Sequence, residues 1–408
     1  MANSTDITSS SLGDDYAVRR ASTPPAVAPP AADPPAATAD DPGLPLGQNL
    51  VEQASVITPA VTPRTANTVG VSIVGEDDEY IALVQIGTPP REFKMIVDTG
   101  SADFWVGSET CTVPQPAGRA PLGCGNHPFL GPKSSTSFRE VTGSRWTGSY
   151  TTGQMAGTLV TDNVKVGPLV LLNHPFGVAK TLTQEITELT CDGIMGLGQS
   201  SLARQRGQLS IVDSLVKQRV IAKPIVSIKM SRLLDRKNDG QVTFGGLDPT
   251  KFNPKTLVTV PNVSRLGLWE APIDSVTANG RTITFAGGAR TALMDTGSSI
   301  NAIPRADATA IVTALGGQTD PTDGEFVLPC NTRAQLAFTI GKQAFTIDTR
   351  DLIVENPGAV ACAMTLLPQT LSDSHGSPNG WVLGAPFLKN VYLSLDSQAN
   401  TIGLAKLI

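Results

Sequence analysis

Met95-Ile96-Val97-Asp98-Thr99-Gly100-Ser101 returns 197 positions later as Ala292-Leu293-Met294-Asp295-Thr296-Gly297-Ser298. In each copy an apolar, strand-like run delivers an acid to a turn. Burial disfavours the charged form of a carboxylate, and two carboxylates within hydrogen-bonding range do not both ionise readily, so a facing pair shares one proton. Such a pair holds an acid and a base at once. Two copies of one acid-bearing loop therefore predict a site built from two halves.

The repetition extends outward from the loops. Tyr80–Ile86 and Phe93–Val97 flank Gly87-Thr88-Pro89-Pro90, which reads as two strands joined by a turn that lead directly to Asp98. In the second half Ile273–Val276 and Thr282–Phe285 flank Asn279-Gly280, a type I′ hairpin signal, and Asp295 follows soon after. About one lobe-length after each Asp comes an apolar run ending in glycine, Asp192-Gly193-Ile194-Met195-Gly196-Leu197-Gly198 and then Trp381-Val382-Leu383-Gly384. Such a run can thread beneath the acid-bearing turn, where a Cβ at the glycine would collide with neighbouring backbone. The bland alternative is a buried strand that ends in a turn. A phosphate loop is disfavoured, because the order is G-x-x-G-x-G and lysine is missing.

Composition sets the class. Of 408 residues 40% are hydrophobic and only 16% charged, with 39 Gly and 31 Pro, which favours short strands and turns over long helices. An all-β protein with a few short helices is expected, the best helix candidates being Ile211–Gln218 and Ala306–Leu315, the latter between Pro304 and Gly316-Gly317. The net charge of −5 and the scattered Lys and Arg leave no footprint for nucleic acid. No run of about 18 apolar residues predicts a membrane span. Five cysteines include two pairs whose spacing could close loops, Cys111 with Cys124 and Cys330 with Cys362, leaving Cys191 over. None forms a metal pattern with His127, His174 or His375, so no metal and no cofactor is expected.

Three segments are expected along the chain. Residues 1–68 read as a disordered Ala/Pro-rich tail or propeptide remnant, since 22–63 has almost no large apolar side chains to offset ordering. Arg19-Arg20 is a candidate dibasic processing site. Residues 69–248 read as an N-terminal lobe carrying Asp98, and 249–408 as a C-terminal lobe carrying Asp295. The first residues, Met1-Ala2-Asn3-Ser4-Thr5-Asp6, lack the features of a secretory signal.

Over residues 69–408 the chain resembles the pepsin-like aspartic endopeptidases. The resemblance rests on Ile86-Gly87-Thr88-Pro89-Pro90, Val97–Ser101, Phe104-Trp105-Val106, Asp192–Gly198, Phe244-Gly245-Gly246-Leu247-Asp248, Met294–Ser299 and Val382-Leu383-Gly384, in that order. It implies a bilobal β fold with a cleft for an extended polypeptide substrate, the two Asp loops meeting at the cleft floor. It implies Asp98 and Asp295 as the dyad that activates a water, with Thr99 and Thr296 bracing the loops. Gly100 and Gly297 would bring backbone amides to the carboxylates, while Ser101 and Ser298 would donate hydroxyls to them. Within Ser149–Leu159 the resemblance implies a mobile hairpin over the substrate, with Tyr150, Thr152 and Gly153 in it and the Trp105 indole orienting the Tyr150 phenol. Only the first half carries these, so the site should bind a peptide in one direction. Two disulfides, Cys111–Cys124 and Cys330–Cys362, a monomeric state and an extracellular or vacuolar location are implied as well.

The chain departs from the pattern at several places. Thr151 stands where Gly is usual after the hairpin tyrosine, Ala385 where pepsin has an acid, and Leu268 where a tyrosine is common. Loss of the acid at Ala385 should ease ionisation of the dyad. The tail is basic only at Arg19, Arg20 and Arg64, fewer cations than family propeptides use to silence the dyad. Sequons at Asn3 and Asn262 permit glycosylation, and Cys191 reads as a buried thiol. A silent binding protein of the same fold should have lost an Asp or the tyrosine, and neither loss is seen. A two-carboxylate glycosidase would need a cleft rich in aromatics, and only 5% of residues are aromatic.

Overall fold

The computed structural model describes residues 56–408 apart from 117, 151–152, 205–207, 322–323, 355–357 and 369–379. The described chain is mainly β, and its strands follow from apolar alternation. In Leu336–Ile340 the residues Leu336, Phe338 and Ile340 are buried while Ala337 and Thr339 are half-buried, the period of a strand with one face on a core. Phe338 packs edge-on against Trp381 and Phe387, with ring centroids 6.0 and 5.5 Å away. Burying a side chain of that size is worth about 2–3 kcal/mol.

Both halves use one local topology. Arg91–Asp98 lies parallel to Gly193–Gly196, with Asp98 opposite Gly196, and Gly193–Gly196 pairs antiparallel with Phe104–Val113 on its other side. In the second half Arg290–Met294 lies parallel to Gly380–Leu383, which pairs antiparallel with Asn301–Ile303. The inserted strand is fully buried in both cases. The expected threading of a glycine-ended run beneath each Asp turn is therefore present. A Cβ at Gly196 would lie 2.6 Å from the Ala102 carbonyl carbon, and one at Gly384 would lie 2.2 Å from the Ile300 carbonyl oxygen. Only glycine fits at either crossing.

The halves are joined by one antiparallel sheet in the order Val258–Pro261, Thr401–Lys406, Val391–Asp396, Ile225–Lys229, Gln241–Phe244, Thr68–Val74. Charges beside that sheet tie the same parts together. Lys389 reaches Asp77 at 2.8 Å and Asp351 at 2.9 Å, and Arg232 binds Asp351 through Nε at 3.0 Å, with all four side chains buried or nearly so.

The helices form where expected. Ile211–Lys217 is capped by the Ser210 hydroxyl, which accepts from the Asp213 amide. Arg305–Leu315 follows Pro304 and ends at Gly316, whose φ of 85° is the left-handed cap that favours glycine. The Asn279-Gly280 hairpin also forms, with φ of 49° and 76°.

The tail expectation needs correction at its end. Residues 56–68 belong to the folded body: Ile57–Thr58 pairs with Ile73–Val74, the Val61 amide donates to the Asn238 carbonyl at 2.7 Å, and the Thr65 hydroxyl donates to Asp248 at 2.6 Å. Few large side chains are needed here because the segment lies at a sheet edge, where prolines cost no ladder bond and partners elsewhere in the fold order the backbone. The remainder of the expected tail, with Arg19-Arg20 and Asn3, lies outside the described residues.

Disulfides join Cys111 to Cys124 and Cys330 to Cys362, and Cys191 is buried without one. The Asn262 sequon is closed in the folded chain. Its amide is buried, donating to the Leu268 carbonyl at 2.9 Å and to Asn400 at 3.0 Å. No helix among the described residues is long and apolar enough to cross a membrane.

Candidate active site

Asp98 closes the strand Arg91–Asp98 and Asp295 follows Arg290–Met294, so both acids stand where a buried strand turns. Their relative exposures are 1% and 0%. Two threonines lock the loops together. The Thr99 amide donates to the Thr296 hydroxyl at 3.0 Å, and the Thr296 amide donates to the Thr99 hydroxyl at 2.9 Å. Each hydroxyl then donates across the molecule, Thr99 to the Met294 carbonyl and Thr296 to the Val97 carbonyl, both at 2.6 Å. Each Asp is thus preceded by a residue whose carbonyl is held by the opposite half.

This grip brings the carboxyls face to face. The Gly100 amide donates to Asp98 Oδ1 at 2.8 Å and the Gly297 amide to Asp295 Oδ1 at 3.0 Å. A Cβ on Gly100 would lie 2.6 Å from Asp295 Oδ1, and one on Gly297 would lie 2.6 Å from Asp98 Oδ1. Each carboxyl therefore rests over the glycine of the other loop. Burial pushes Asp98 above the usual carboxylate range, opposed by the Ser101 hydroxyl, the Gly100 amide and a hydrogen bond with Asp295. Two carboxyls held so close disfavour ionisation of both.

The serines depart from the expected symmetry. Ser101 donates its hydroxyl to Asp98 Oδ2, as expected, whereas Ser298 donates to the Ile300 carbonyl at 3.0 Å rather than to a carboxylate. The reason lies in the glycine crossing. In the first half the Gly196 amide donates to the Asp103 carbonyl at 3.0 Å. In the second half the Gly384 amide donates instead to the Asn301 side chain at 3.1 Å, which leaves the equivalent carbonyl, that of Ile300, to take the Ser298 hydroxyl.

The hairpin beside the site is built from Trp146–Tyr150 and Gly153–Val166, with Tyr150 opposite Gly153. The Trp105 indole N–H donates to the Tyr150 hydroxyl at 3.1 Å, and the two rings lie 6.4 Å apart. Tyr150 is buried, and that burial pushes its phenol well above the ordinary range, so it stays neutral. Gly153 is crowded by the Thr183 hydroxyl, with a φ of 154°. Thr151 and Thr152 lie outside the described residues. Leu268 packs in a cluster with Leu293, Ile300 and Val382, beside the second loop. Trp269 crosses between halves, its indole donating to the Leu197 carbonyl at 2.9 Å.

Two residues near this hairpin were not found by reading the sequence, Asp103 and Arg204. Asp103 is buried, and Arg204 approaches it at 3.7 Å while its guanidinium lies over the Tyr150 ring. Asp103 does stand five positions after Asp98, but an isolated arginine in a loop gives no signal of what it meets.

The family described as eukaryotic aspartyl protease matches residues 79–407. The chain belongs to that family. Among individual relatives of this aspartyl protease family member, a protein of Arthroderma benhamiae named "Probable aspartic-type endopeptidase CTSD" is 30% identical over 348 residues, covering 85% of this chain and 64% of the relative. The chain thus spans less than two thirds of that relative's length. The aspartic-type endopeptidase ctsD of Aspergillus fumigatus is 30% identical over 344 residues, 84% of this chain and 69% of the relative. Mouse cathepsin E is 31% identical over 335 residues, 81% of this chain and 80% of the relative.

Proposed function

We propose that the protein is an aspartic endopeptidase that cleaves extended polypeptides at acidic pH, preferring large apolar residues on both sides of the scissile bond. The observation that carries the reading is the reciprocal threonine grip, which holds each buried carboxyl against the other loop's glycine. Asp98 and Asp295 share one proton. The ionised carboxyl takes a proton from a water whose oxygen attacks the peptide carbonyl carbon, while the protonated carboxyl gives its proton to the carbonyl oxygen. The tetrahedral intermediate then collapses: one hydroxyl of the intermediate returns a proton to the pair, the pair protonates the departing amine, and the C–N bond breaks. A shared proton is retained only in acid, which sets the pH range. The hairpin bearing Tyr150 covers the substrate, with Gly153 opening the return strand and Thr152 at the position the family uses for peptide contacts. Folded as one body with two disulfides, the protein acts as a monomer in an oxidising compartment, extracellular or vacuolar.

The test is degradation of unfolded haemoglobin or casein from about pH 3 to pH 6, the range in which a carboxyl proton is retained. Asp98→Asn and Asp295→Asn are each expected to lower cleavage by at least about a thousandfold. Full cleavage by either variant would end the reading of the dyad, and no cleavage by the wild type at any pH in that range would leave a silent binding protein as the alternative.

A further inference from the structure

The Tyr150 ring is held from two sides. Trp105 donates to its hydroxyl, and on its face lies Arg204, whose guanidinium carbon is 5.1 Å from the ring centroid. A cation at that distance over an aromatic face is attracted by the ring quadrupole, more strongly where water is excluded. The Arg204 side chain is only 16% exposed. Its Nη2 also donates to the Ser149 carbonyl at 2.9 Å, so one guanidinium engages two successive residues just before the turn of the hairpin.

Arg204 is in turn anchored from below. Asp103, 3% exposed, accepts from the Arg204 amide at 3.4 Å and faces Nη1 at 3.7 Å. Room for the guanidinium is provided by Gly148, where a Cβ would lie 2.5 Å from Nη1. Five residues from three separated stretches, Asp103, Gly148–Tyr150 and Arg204, thus converge on one contact. A sixth, Trp105, completes the cage around the phenol.

We propose that Arg204, anchored by Asp103, is a positioning residue that fixes Tyr150 and the turn end of its strand in the pose that covers substrate. The inference rests on the reading of Tyr150 as a substrate-covering residue. Arg204 does not touch the reacting atoms. Its part is to keep the ring from turning away, so that peptide binding does not have to order the hairpin first.

The anchor is sensitive to acid. Asp103 is raised above the usual carboxylate range by burial, which Arg204 opposes; the Trp146 indole lies alongside and the Asp98 carboxyl faces it at greater distance. As pH falls through the raised value, Asp103 takes a proton and Arg204 loses its counter-charge. The turn end of the Trp146–Tyr150 strand should loosen on the acid side, and KM should rise there.

The experiment compares wild type with Arg204→Met, Arg204→Lys, Asp103→Asn and the Arg204→Met/Asp103→Asn double variant. Two readouts are used: cleavage of a fluorogenic peptide across pH, and hydrogen exchange of the amides in 146–150 and 153–160. Arg204→Met should raise KM about fivefold to thirtyfold with kcat nearly unchanged, and should speed exchange of the hairpin amides by about tenfold. Arg204→Lys keeps the charge but not the planar fork and should fall between. Asp103→Asn should raise KM to a level that no longer varies with pH, and the double variant should be no worse than the poorer single one. Unchanged KM and unchanged exchange in Arg204→Met overturn the proposal, as does full additivity in the double variant. Should Arg204→Met fail to fold, the near-isosteric Asp103→Asn decides the matter through the pH profile of KM. Exchange needs no turnover, so a loosened hairpin in a chain that cleaves nothing would uphold the clamp while refuting the protease reading.

Discussion

The two Asp loops are alike in backbone and different in side chains. Both set an acid at the end of a strand, thread a glycine-ended strand beneath it and place a threonine to bind the opposite half. Yet Ser101 donates to a carboxylate while Ser298 donates to a carbonyl, because Asn301 has taken over a backbone amide in the second half only. What is shared is the backbone geometry that brings two carboxyls together. What differs is the side-chain environment that tunes them.

The shared part gives the largest expected effect. Thr99→Val and Thr296→Val each remove a hydroxyl that donates to one buried carbonyl and accepts from one buried amide, so each should cost about 2–4 kcal/mol in urea unfolding, and the two costs should be nearly equal. Because the bonds form one reciprocal unit, the double variant should lose less than the sum. Unequal costs would mean that the grip belongs to one half.

Among the described residues the buried histidine, His174, stands in the first half, set between Phe104 and Phe176. Burial pulls its pKa down to about 3 from the ordinary 6.5. Between those values the unfolded chain binds a proton that the folded chain refuses, so stability falls as pH drops, by at most about 1.4 kcal/mol per pH unit. His174→Phe should flatten this slope when urea midpoints are measured from pH 6.5 to pH 3.5, a range taken from the two pKa values. An unchanged slope would place the acid sensitivity elsewhere.

The serines sharpen the comparison further. A hydroxyl donor favours the charged carboxylate, so Ser101→Ala should raise the pKa of Asp98 and move the acidic limb of the rate profile to higher pH by about one unit. Ser298→Ala should leave that limb in place. Equal shifts in both variants would show that the second serine reaches the pair during catalysis.

Much of this was legible in the sequence, for reasons that can be stated. The two Asp-Thr-Gly-Ser runs, the glycines beneath them, the Asn279-Gly280 turn and the Gly316 cap are local signals, each requiring a particular residue at a particular backbone position. The Ser298 hydroxyl was misplaced because its partner depends on Asn301 and Gly384, which meet only in the fold. The order of residues 56–68 was hidden because Ala60, Val61 and Thr65 find their partners at Ser72, Asn238 and Asp248. Arg204 escaped for the same reason: its meaning lies wholly in what it touches.

The sheet that joins the halves also has a consequence in time. Its neighbours come from widely separated parts of the sequence, with Thr401–Lys406 lying between Val391–Asp396 and Val258–Pro261. Asp98 is synthesised before the strand that supports Asp295, Gly380–Leu383, and before the strands that complete the joining sheet. Pairings of such long range form slowly, after the loops between them have closed. A ribosome making this protein therefore carries two separated carboxyls until the strand Thr401–Lys406 has left it and the joining sheet can close.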